Sequence, residues 1–68
     1  MRWEELVGQK VRALRKAKGL SQEALAHEAG MAMRYLAGIE RGEENPTLAF
    51  LVRIADALGV EPKDLLER

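Results

Sequence analysis

Between Gln22 and Arg41 the chain reads "QEALAHEAGMAMRYLAGIER", two short helical patterns with Gly30 between them. This stretch constrains the fold more than any other. Two helices joined by a turn of about three to four residues containing Gly must cross closely. Such a crossing needs a small residue at its centre, and Ala26 is expected to supply it. Leu25, Ala29, Met31, Leu36 and Ile39 are placed to fill the core the two helices share.

The flanking segments are helical as well. From about Trp3 to Lys18, the apolar residues Trp3, Leu6, Val7, Val11 and Leu14 recur at helical spacing and form one stripe. Gly19 follows in the position of a C-terminal cap. Ser21 has the character of an N-cap, and Glu23 suits the positive end of the helix that follows. That second helix runs to about Ala29, and a third covers about Ala32 to Arg41, stopped by Gly42. In the loop "EENP", Pro46 restricts Asn45 to extended backbone. Thr47 then caps a fourth helix, about Leu48 to Leu58, with Leu48, Leu51, Ile54, Ala55 and Leu58 expected inward. Gly59 ends it. Pro62 suits the first position of a short fifth helix through Leu65 and Leu66. The expected architecture is therefore all-α, with five helices in one domain over residues 1–68.

Composition narrows the function classes. A chain of 68 residues holds only a small core. With no Cys there is neither a disulfide nor a thiolate metal site, and His27 stands alone. No metal or cofactor is expected. Catalysis is not expected either: Ser21 is used as a cap, His27 lacks an evident triad or metal partner, and Glu43 and Glu44 are adjacent loop carboxylates. No apolar run approaches membrane-spanning length and no signal-peptide pattern is present, so a soluble cytoplasmic protein is expected. An opening Met and the close at "DLLER" suit a complete small protein and equally a domain cut from a longer chain.

Net charge is zero but unevenly spread. Lys10 to Arg41 holds seven basic and three acidic residues; the remainder holds four basic and eight acidic. Lys10, Arg12, Arg15, Lys16 and Lys18 form a basic stretch without an acid inside it. It suits either a polyanionic partner or a solvated helix face.

Taken together, "GLSQEALAHEAG", "YLAGIERGEENPTL" and "IADALGV" resemble the helix-turn-helix domain of phage repressors and Cro, the Xre family, which includes restriction–modification controller proteins. The resemblance runs from about Val7 to Leu66, with its helix-turn-helix core at about 22–41. It implies a lambda-repressor-like, sequence-specific DNA-binding transcriptional regulator that meets double-stranded DNA as a homodimer, its third helix in the major groove. It also implies an ion pair between Arg15 and Glu40, which makes Arg15 structural before it is a phosphate contact.

The positions matching base contacts are Ala32, Met33, Arg34, Ala37 and Gly38. Arg34 alone among them carries a strong hydrogen-bonding side chain, suited to guanine. Met33 and Ala32 offer apolar contact to thymine methyl groups, and Ala37 and Gly38 allow close approach. Either Arg34 reads with shape and methyl contacts, or the helix has lost direct readout and serves as a scaffold. Ala32 also leaves this helix without a side-chain cap.

Phosphate contacts are implied for Gln22 at the start of the second helix, for Arg41, and for Lys10, Lys16 and Lys18. Tyr35 suits a phosphate contact or simple core packing. Glu43 and Glu44 depart from the family's often basic loop; they lower affinity or sharpen specificity by weakening sequence-independent binding. Phe50, Val52, Leu65 and Leu66 are expected to form an apolar dimer face, unless the fifth helix covers them within one chain. The alternative function is a protein-interaction module or antitoxin on the same scaffold, with weak or no base readout. The apolar third helix and the acidic loop favour it.

Overall fold

A computed structural model describes residues 2–67. These form four α-helices, α1 (Trp3–Ala17), α2 (Gln22–Ala29), α3 (Met33–Glu40) and α4 (Leu48–Leu58), followed by one 3-10 turn at Pro62–Leu65. The four longer helices stand within a residue or two of their expected bounds. The fifth is a single 3-10 turn of four residues, a length at which an α-helix is not sustained.

Local chemistry explains the boundaries. The Ser21 hydroxyl accepts from the Ala24 amide at 3.0 Å, and the Thr47 hydroxyl accepts from the Phe50 amide at 3.3 Å. Each satisfies a donor that the first helical turn leaves unpaired. Gly30 sits at φ 71°, a left-handed conformation that only glycine adopts cheaply, and it ends α2. The Met31 amide then bonds the Ala26 carbonyl at 2.9 Å and fixes the turn into α3.

Val7, Val11, Leu25, Ala26, Ala29, Leu36, Ile39, Leu51, Ile54, Ala55, Leu58 and Leu65 form the core. Three expectations need correction. Trp3 lies at the open end of the α1 stripe and is 51% exposed. Leu48, in the first turn of α4, is 68% exposed; the inward stripe begins at Leu51. Leu65 is completely buried, because the 3-10 turn folds back on α4 and α1 and tucks this side chain beneath them.

Gly8 permits the approach of α1 to α3. A Cβ there would stand 2.3 Å from the Ile39 carbonyl oxygen and 2.8 Å from that of Glu40. The α1 backbone therefore rests directly on the C-terminal end of α3.

Candidate nucleic-acid interface

The orientation of α3 is set from below. Leu36 and Ile39 are fully buried, so the opposite side of the helix faces out. Its C-terminal end is held by a buried polar cluster. Arg15 grips Glu40 with two bonds, Nε to Oε2 at 2.7 Å and Nη2 to Oε1 at 3.1 Å. Its remaining nitrogen, Nη1, donates to the Leu20 carbonyl at 2.8 Å. Gln22 Nε2 donates to the same Glu40 Oε1 at 3.0 Å. One carboxylate thus ties α1, the start of α2 and the end of α3 together, and no buried side-chain polar atom among the described residues lacks a partner.

Burial raises the Glu40 pKa, but the hydrogen bonds from Arg15 and Gln22 and the positive charges of Arg15 and Arg12 outweigh it. Its carboxyl is held below the usual glutamate value. The hydrogen bond to Glu40 correspondingly raises Arg15.

On the outward side, Ala32, Met33 and Arg34 are exposed together at the N-terminal end of α3, and Met33 is half exposed. Ala32 takes the extended N-cap conformation without a side-chain hydrogen bond. Ala37 is half-buried. Gly38 is buried, and its reason differs from the expected one: the Glu44 side chain covers it, and a Cβ at Gly38 would lie 2.8 Å from Glu44 Cγ. A shallow hollow is lined by Ala32, Met33, Arg34, Tyr35 and Glu44.

The expected phosphate-contact residues divide. Gln22 is already bonded to Glu40, with one amide hydrogen left over. Arg41 Nε pairs with Glu43 at 3.0 Å on the exposed surface. Lys18 Nζ approaches the Ala57 carbonyl at the end of α4, at 3.5 Å. Lys16 is exposed and Lys10 is half-buried. The Tyr35 ring packs on Phe50, with centroids 5.2 Å apart and planes tilted by 57°.

That contact also changes the apolar surface. Phe50 is half-buried between Tyr35 and Arg53, whose guanidinium lies 4.8 Å from the ring centroid. With Leu65 in the core, the expected dimer face loses one member outright and has a second partly covered. Val52 and Leu66 remain exposed, and Leu48 joins them. Leu48 and Val52 stand four residues apart on one face of α4.

Two features escaped the sequence reading. Arg53 Nε donates to the Ala29 carbonyl at 2.9 Å and its Nη2 donates to the Gly30 carbonyl, so α4 caps the C-terminal end of α2. Nothing in the local pattern signals this link. The Glu44 contact had a signal, the helix-interior glycine at position 38, which asks for a packing reason.

The model of the Helix-turn-helix family matches residues 11–65. The control protein C.BamHI of Bacillus amyloliquefaciens is 49% identical over 63 residues, covering 91% of this chain and 78% of that protein. The solved restriction–modification controller protein C.AhdI of Aeromonas hydrophila superposes with a TM-score of 0.89 at 45% identity, covering 91% of this chain and 94% of that one. The crystal structure of SinR, a master regulator for biofilm formation, in complex with DNA matches with a TM-score of 0.86 at 40% identity, covering 90% and 98%. No described helix is long and apolar enough to cross a membrane. The crossed α2 and α3, their clamp at Glu40 and these similarities together identify the chain as a member of the phage repressor and Cro-like helix-turn-helix family.

Proposed function

We propose that this chain is a sequence-specific DNA-binding transcriptional regulator, non-enzymatic and cytoplasmic, acting as one domain over residues 1–68. The observation that carries this reading is the outward, rigidly supported N-terminal end of α3. Ala32, Met33 and Arg34 are all exposed there, while Leu36, Ile39 and Glu40 are buried and anchor the helix. Arg34 donates to guanine O6 and N7, and Met33 and Ala32 meet thymine methyl groups. Gln22, through its remaining amide hydrogen and the start of α2, meets a phosphate, helped by Lys16 and Lys10. Similarity to a protein solved with DNA supports DNA binding by this chain.

One such domain covers a half-site, and a homodimer spans two half-sites about one helical turn apart. The dimer face is assigned to Leu48 and Val52 of α4 with Leu66, three of the large apolar side chains left in water.

Selection from a random duplex library tests the function. A palindrome with a guanine in each half-site is expected, and Arg34→Ala should flatten that guanine preference. Weak, salt-sensitive binding with no sequence enriched would reject it. Sedimentation tests the dimer: Val52→Glu should give monomers, and an unchanged mass would reject this face.

A further inference from the structure

We propose that Glu44 serves as a base-reading side chain of α3, although it belongs to the loop beyond that helix. Its carboxylate accepts a hydrogen bond from the exocyclic amino group of a cytosine in the major groove. This rests on the reading of α3 as the DNA-contacting helix.

The starting point is Gly38. It lies four residues after Arg34, on the same face of α3. A glycine inside a helix is destabilising relative to alanine, so its presence requires a reason. That reason is steric. A Cβ at position 38 would stand 2.8 Å from Glu44 Cγ, 3.1 Å from Oε2 and 3.5 Å from Cδ. The Glu44 side chain therefore occupies the space that a side chain of residue 38 would fill.

The loop is tied down to keep it there. The Gly42 amide bonds the Ile39 carbonyl at 3.0 Å, and the Glu43 amide bonds the Gly38 carbonyl at 2.9 Å. Both bonds reverse the chain over the last turn of α3. The two acids of the loop then differ. Glu43 is paired with Arg41 in solvent. Glu44 is half-buried against α3 and has no hydrogen-bond or ion-pair partner among the described residues. It shares a surface hollow with Arg34.

An unpaired carboxylate beside a phosphate backbone opposes binding to every sequence. In the major groove a base-edge donor compensates it, and glutamate accepts from cytosine N4. Arg34 and Glu44 then form a donor and an acceptor about one helical turn apart, about 5.4 Å along the axis. That distance lies between one and two base-pair steps of about 3.4 Å. The half-site is expected to hold a guanine and a cytosine within that reach.

The test is library selection with wild type, Glu44→Ala, Glu44→Gln and Gly38→Ala, each checked for native helicity. Glu44→Ala should lose cytosine preference at one position by about tenfold or more, with the guanine preference kept. Glu44→Gln should turn the same position toward adenine, the base glutamine reads bidentately. Gly38→Ala should reproduce the loss seen in Glu44→Ala, because the atoms nearest the added methyl group belong to the Glu44 side chain, which it displaces. A selected palindrome left unchanged by all three variants, with affinity raised equally for every sequence, would overturn the role of Glu44 alone. A wild type that enriches no sequence would overturn the DNA reading and this inference together.

Discussion

Gly8 of α1 lies against Ile39 of α3 so closely that a methyl group on Gly8 would stand 2.3 Å from the Ile39 carbonyl oxygen. This is backbone against backbone, and neither partner can rotate aside. Alanine favours a helix over glycine by about 1 kcal/mol. Here the steric term is larger, since forcing packed elements apart costs about 1–3 kcal/mol. Gly8→Ala should therefore lower the urea midpoint. A variant as stable as wild type would show that α1 can move away from α3 freely.

Arg15 and Glu40 should behave as an obligate pair. Their side chains are nearly out of water, so deleting one strands the other. Arg15→Ala is expected to cost about 3–5 kcal/mol, comparable with the whole stability of a domain this small. The double change Arg15→Met with Glu40→Leu should recover most of that loss, because two apolar side chains leave no buried charge. Urea unfolding of the single and double variants decides it; a double variant no better than Arg15→Ala would mean the pair is not interchangeable with apolar packing.

Acid should act through Glu40. Its pKa in the folded protein is below the unfolded value of about 4.3. Between the two values the unfolded chain binds more protons, so stability rises with pH. The contribution is complete above the unfolded value and is lost as pH falls through the folded one. Glu40→Gln should be less stable than wild type at neutral pH, and the gap should close on acidification through that window. A gap independent of pH would reject the assignment.

Ala32 leaves one cap unfilled. Its backbone, at φ −69° and ψ 140°, resembles that of the capping residues Ser21 and Thr47. Ala32→Ser should let the new hydroxyl also accept from the Tyr35 amide, which now donates to the Ala32 carbonyl at 3.1 Å, and add about 1 kcal/mol. In a domain of this size that raises Tm by about 4–8 °C. An unchanged melting temperature would mean the first turn of α3 is already satisfied.

Most element boundaries were legible because they are local events. Ser21 and Thr47 act on amides three residues away, and Gly30 acts on its own backbone. The exposure of Leu48 was misread because its position on the α4 stripe is correct while its place along the helix axis is not. Periodicity reports the angle of a side chain around a helix but not whether a neighbour lies opposite it at that height. The Arg15–Glu40 pair, 25 residues apart, became visible through family resemblance.

The sequence by itself determined where the four α-helices begin and end, and that Leu36 and Ile39 turn α3 inward on one side. Those outcomes depend on capping and apolar spacing within a few residues. Tertiary structure alone decided that Leu65 enters the core, that Gln22 bonds Glu40, that Arg53 caps α2 and that Glu44 covers Gly38. Each of these depends on how far one element is shifted along or turned against another, and close packing in three dimensions sets that distance.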